Sequence, residues 1–233
     1  MTSSMKMHSP REVTIRSGRV RLEGQLSIPL SPHGVVLFAH GSGSGRFSPR
    51  NNFVAQRLQS GSLATLLIDL LDPTEEDDRR KVFDIDLLAD RLLLAKAWLG
   101  EDSRTAPLPI GYFGASTGAG AALQAAARDP LSVDAVVSRG GRPDLADAYL
   151  PTVVAPTLLI VGGDDEPVIE MNREAYALLR CPKELVIVPG ATHLFEEPGT
   201  LEQVADHAVR WFQRYLTEGA PHAPRAPRKE CSP

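Results

Sequence analysis

Pro109-Ile110-Gly111-Tyr112-Phe113-Gly114-Ala115-Ser116-Thr117-Gly118-Ala119-Gly120-Ala121-Ala122 is the stretch that decides the fold of this chain. Residues 109–113 read as a short apolar strand. Residues 117–128 are rich in alanine and read as a helix. Between them stands Gly-x-Ser-x-Gly, with Ser116 at its centre. A serine on so abrupt a strand-to-helix turn presents its hydroxyl at the end of a sheet. Glycines on either side permit a backbone approach that a Cβ would block. The plainer reading of the same residues is a glycine-rich helix start with Ser116 as its cap.

Working outward, strand-like and helix-like segments alternate along the chain. Residues 13–16 and 20–28 alternate apolar with polar, as a half-buried hairpin does. Residues 35–39, 63–69, 135–138, 157–162 and 185–188 are near-continuous apolar runs, which suit strands buried on both faces. Helical spacing appears in 51–60, 84–99, 169–179 and 201–216. In 84–99 the stripe is Ile85, Leu88, Leu92, Ala95 and Leu99. This alternation predicts an α/β fold in three layers: a mainly parallel twisted sheet, helices on both faces, and an antiparallel hairpin at one edge. Ligands of such sheets bind beyond the carboxyl ends of the strands. Residues 13–217 form the expected domain, 1–12 an N-terminal extension, and 218–233 a disordered proline-rich tail.

Composition narrows the function classes. The chain has 233 residues, 42% hydrophobic and 23% charged, which suits one soluble domain. Its net charge of −4 comes with no basic stripe, so nucleic acid is not an expected partner. The apolar runs are far too short for a membrane span, and the N-terminus lacks the apolar core of a secretory signal. The two cysteines, Cys181 and Cys231, form no paired motif. Neither a disulfide nor a metal site is expected, and a cytoplasmic location follows.

The residues for nucleophilic chemistry follow the strands in order. After residues 157–162 come Asp164, Asp165 and Glu166. The spacing Gly162-x-x-Asp165-x-x-Val168 selects Asp165, with Asp164 as the alternative. After the last strand comes Gly190-Ala191-Thr192-His193-Leu194-Phe195. Of the six histidines, His193 alone occupies a late strand-end loop. His207 falls in a helix, and His40 is expected to shape its own loop. Serine, acid, histidine is the chain order in which this strand-turn-helix architecture carries its triad. Oxyanion donors are expected from the backbone N–H of Thr117 and from Ser42, in the loop His40-Gly41-Ser42-Gly43-Ser44-Gly45. That loop lacks the Gly-Lys-Ser/Thr ending of a phosphate-cradling loop.

Arginines follow the same strand ends. Arg46 and Arg50 come after the glycine loop, and Arg139 and Arg142 after residues 135–138. Arg46, Arg139 and Arg142 are candidates to hold an anionic group of the substrate. The alternative is that they pair with Asp72, Asp144 or other loop acids. Only residues 139–156 are available for a cap, enough for a short helix near 143–148. An open, modest pocket for a small soluble substrate is therefore expected.

These motifs together resemble the dienelactone hydrolase-like group of α/β-hydrolases over residues 13–216. One departure is plain: dienelactone hydrolases use cysteine at the nucleophile position, where this chain has Ser116. The resemblance implies a carboxylic-ester hydrolase with a Ser116–His193–Asp165 triad, acting on an ester or lactone without a cofactor. Thioester or peptide cleavage would use the same triad. A non-catalytic scaffold of the same fold is the other class of reading.

Overall fold

The structure, a computed structural model, describes residues 10–216. Residues 1–9 of the expected extension and the whole expected tail, with Cys231, lie outside that range. Eight strands form one sheet: β1 (Arg11–Ser17), β2 (Val20–Ser27), β3 (Gly34–Ala39), β4 (Leu63–Ile68), β5 (Ile110–Ala115), β6 (Ala135–Arg139), β7 (Thr157–Gly162) and β8 (Lys183–Val188). Their spatial order is β1-β2-β4-β3-β5-β6-β7-β8. The β1–β2 and β2–β4 pairs are antiparallel, and every other pair is parallel. All six residues of β3, β4 and β7 are buried, as their unbroken apolar sequences require. The hairpin sits at one edge and β8 at the other.

The main helices are α1 (Pro49–Ser60), α4 (Ile85–Glu101), α5 (Thr117–Arg128), α6 (Glu166–Leu178) and α7 (Thr200–Tyr215). Alternation along the strands divides the core between two faces. Val35, Leu37 and Ala39 of β3 pack with Leu88, Leu92 and Leu99 of α4 and the alanines of α5. Val36 and Phe38 point the other way, onto Val54 and Leu58 of α1 and Ala208 and Phe212 of α7. The chain is thus a three-layer α/β structure with the expected hairpin edge.

Element boundaries move where capping decides them. α1 begins at Pro49, two residues before the apolar spacing becomes visible, because Ser48 Oγ caps the N–H of Asn51. α6 starts at Glu166, directly after Asp165, with Pro167 in the first turn, where proline is tolerated. Two one-turn helices, α2 (Pro73–Glu76) and α3 (Arg79–Val82), lie between β4 and α4. They are too short to carry a hydrophobic period. Their signals are the N-caps Asp72 and Asp78. In place of a short cap helix near 143–148 there are 3-10 turns at Pro143–Ala146 and Leu150–Thr152. No helix among the described residues is long and apolar enough to cross a membrane.

Candidate active site

Ser116 stands between β5 and α5 with φ 51° and ψ −123°. A non-glycine residue with positive φ is strained and persists only where its surroundings hold it. Here both backbone groups are tied. The Ser116 N–H donates to Arg139 O (3.3 Å), and Ser116 O accepts from Ala119 and Arg142 N–H (3.0 Å each). The serine side chain makes no capping bond to α5, so the plain-cap reading fails. Gly118 lets α5 approach the end of β3. A Cβ there would stand 2.3 Å from Ala39 O and 2.5 Å from His40 O. Gly118→Ala is therefore expected to push α5 off the sheet and destabilise the fold by about 2 kcal/mol or more, read from chemical denaturation. Unchanged stability would mean that the turn relaxes freely.

The loop after β3 is set by His40, which is 7% exposed. Its Nε2 accepts from Leu70 N–H (2.9 Å), so its proton lies on Nδ1, which donates to Gly41 O (2.9 Å). Both ring nitrogens are committed, and His40 shapes its loop as expected. The N–H of Ser42 donates to Thr117 Oγ1 (3.2 Å), which brings both expected oxyanion residues together beside Ser116.

His193 Nδ1 bonds Asp165 Oδ2 at 2.7 Å. Of the two adjacent acids, the geometry brings Asp165 to the ring. Asp164 is exposed and uses its backbone N–H, bonded to Ala191 O at 2.9 Å. Gly162 makes the crossing possible, because a Cβ there would lie 2.3 Å from Ala191 O. The histidine loop is held at further points. Glu197 accepts from Thr192 N–H (3.1 Å) and Oγ1 (2.6 Å), which lowers its carboxyl below the usual range. Arg50 pairs with Glu196 at 2.9 Å. Neither Glu197 nor the Thr117 hydroxyl was expected in a site role. Each is seen only once the loops close.

Ser116 and His193 flank one segment, Arg139–Gly140. Ser116 N–H bonds Arg139 O, and the position of a Cβ on Gly140 lies 3.6 Å from His193 Cε1. Ser116 Oγ holds no hydrogen bond among the described residues. Beside the loop after β3 opens a cavity of about 230 Å³, lined by Leu71, Val82 and Leu88 together with Glu76 and Asp77. It is small for a ligand pocket.

The arginines divide sharply. Arg46 pairs with Asp69 and lies over the Phe47 ring. Arg142 forks onto Asp144 (2.8 and 2.7 Å). Arg139 is 8% exposed and holds no carboxylate among the described residues. Burial, and then the like charge of Arg50, pushes its pKa down to about 10.

A parallel sheet with an antiparallel hairpin edge, and a strained serine between a central strand and its helix, define the α/β-hydrolase class. Residues 66–217 match the sequence profile of the dienelactone hydrolase family, and the chain belongs to that family. It is similar to a dienelactone hydrolase from Anabaena variabilis, at 59% identity and a TM-score of 0.86, over 90% of this chain and all of that one. It is also 58% identical over 210 residues to a Mycobacterium tuberculosis protein that bears a provisional phosphoribosyl transferase name. That match covers 90% of this chain but 47% of the relative, so the chain spans about half the length of the curated relative. A lidless α/β serine hydrolase from Xanthomonas campestris shares the fold at 18% identity, with a TM-score of 0.74 over 91% of this chain and 97% of that one. Hydrolysis is the activity that family membership supports.

Proposed function

We propose that this chain is a serine hydrolase that cleaves carboxylic esters or lactones of small soluble substrates through an acyl-enzyme on Ser116. The observation that carries the reading is the 2.7 Å Asp165–His193 bond, on a loop that meets the strained Ser116 turn across Arg139–Gly140. In this reading Asp165 fixes the tautomer with the proton on Nδ1, leaving Nε2 free to act as base. His193 takes the Ser116 proton as Oγ attacks the carbonyl carbon, and later gives it to the leaving alcohol. Water then repeats the sequence and releases the acid. Substrate binding closes the Ser116–His193 contact, since catalytic hydrogen bonds are commonly looser in the unliganded site.

The N–H groups of Thr117 and Ser42 would receive the oxyanion. In the resting site the Ser42 donor is occupied by Thr117 Oγ1. An arriving carbonyl therefore exchanges one acceptor for another and does not have to order a loose donor. The small cavity, with no cap domain over it among the described residues, supports a compact substrate. The sequence holds no acidic ribose-binding motif that would support phosphoribosyl transfer in this part of the longer relative.

The test is labelling with a fluorophosphonate probe, followed by peptide mass spectrometry and a panel of p-nitrophenyl esters and lactones. One label per chain, on Ser116, with turnover of at least one ester class, is the expected result. No label and no turnover across the panel would overturn the reading and favour a non-catalytic scaffold.

A further inference from the structure

Arg139 is the anomaly of this structure. Arg46, Arg91 and Arg142 are each held by a carboxylate, Asp69, Glu75 and Asp144 respectively. Arg139 is more than nine-tenths buried, and its Nε and Nη1 have no partner among the described residues. The Phe195 ring lies 6.0 Å from its guanidinium carbon, at the outer limit of a useful cation–π distance. Another cation, Arg50, acts on it by like-charge repulsion, and the Arg50 Nε is also buried without a partner among the described residues. Arg50 does hold one acid, Glu196, but that carboxylate is 62% exposed and serves Arg50 through Nη1.

A buried guanidinium with two unpartnered nitrogens, under the repulsion of a second cation, is an unfavourable arrangement for a folded protein. A buried charge is ordinarily paired. A planar or tetrahedral oxyanion would resolve it, because guanidinium donors match such oxygens in pairs. The Arg50 side is open to solvent: a cavity of about 490 Å³ runs from Ser42–Gly45 to Arg50, with Asp69 and Glu76 also on its wall, while Arg139 lies behind that wall and does not line it. Asp69 is already neutralised by Arg46.

We propose that Arg139 and Arg50 form an oxyanion-binding site beneath the His193 loop, taking a carboxylate or phosphate group. Its setting gives it a consequence. Arg139 lies against Phe195, and Arg50 pairs with Glu196, so both cations touch the loop that carries His193. An anion bound there draws α1, β6 and this loop together. The group can belong to the substrate or to a free anion. Either source uses the same donors.

The site stands on geometry and does not need the hydrolase reading, so binding is measured on both the wild type and Ser116→Ala. The full chain is melted in rising sodium phosphate or sodium acetate, with ionic strength held constant by sodium chloride. A saturable rise in Tm is expected in both proteins. In Arg139→Gln the rise should vanish. In Arg50→Gln, a change at a more exposed side chain, binding should weaken by about tenfold. If Arg139→Gln does not fold, Arg50→Gln decides alone. No saturable shift in wild type, or an undiminished shift in the variants, would overturn the proposal. A merely structural arginine would change Tm equally with and without the anion. The source is read from kinetics. If the anion belongs to the substrate, phosphate competes with ester, and a carboxylated ester is preferred over p-nitrophenyl acetate in wild type but not in the variants. If the anion is free, phosphate binds without competing.

Discussion

Ser116→Ala is expected to reduce ester turnover by about a millionfold, to the level left by binding and the oxyanion donors alone. Stability should hardly change, because Ser116 Oγ holds no hydrogen bond among the described residues. The backbone at φ 51° is equally strained with either residue. Ser116→Gly separates the two roles. It should be as inactive as the alanine variant, yet more stable by about 1 kcal/mol, since glycine adopts positive φ without strain. Turnover of one ester and a urea unfolding curve on three purified proteins suffice. An alanine variant that retains most of its activity would remove Ser116 from the mechanism.

The second large effect concerns the acid. Asp165→Asn should lower kcat by about ten-thousandfold with the fold intact, because an amide stabilises the wrong tautomer of His193 and cannot balance its charge. Asp164→Asn should stay near wild type. Its contribution is a backbone N–H on Ala191 O, and asparagine keeps that bond. The reverse ranking in kcat/KM would assign the role to Asp164 and leave the 2.7 Å bond to Asp165 as a structural contact.

How much of this was legible in the sequence depends on the range of the interaction. The Ser116 turn was legible because its features are local: an apolar strand, two glycines and a small-residue helix in one stretch. All eight strands were legible too: six as apolar runs, and β1 and β2 by the alternation of a half-buried hairpin. The ends of α1 and α6 were displaced because Ser48 and Pro167 set them, and neither belongs to a hydrophobic stripe. The helices α2 and α3 are too short for any period to show. The arginines are the clearest limit. Arg46, Arg139 and Arg142 follow strand ends in the same way, yet the first finds Asp69, the last finds Asp144, and Arg139 finds none. Sequence gives the residue type, but the partner is chosen by chain segments that meet only in the fold. Thr117 Oγ1 on Ser42 N–H, across 75 residues, was hidden for the same reason.

The close crossing at Gly162 has a consequence for how the molecule fails. Asp165 and His193 hang from β7 and β8, laced by Asp164 N–H on Ala191 O, and β8 is an edge strand with one neighbour. Ser116 hangs from β5, in the middle of the sheet. Fraying that begins at the β8 margin would carry the proposed acid and base away as a pair while the serine turn stays seated. Warming would then silence the enzyme before the body of the protein melts, and cooling would restart it without refolding the core.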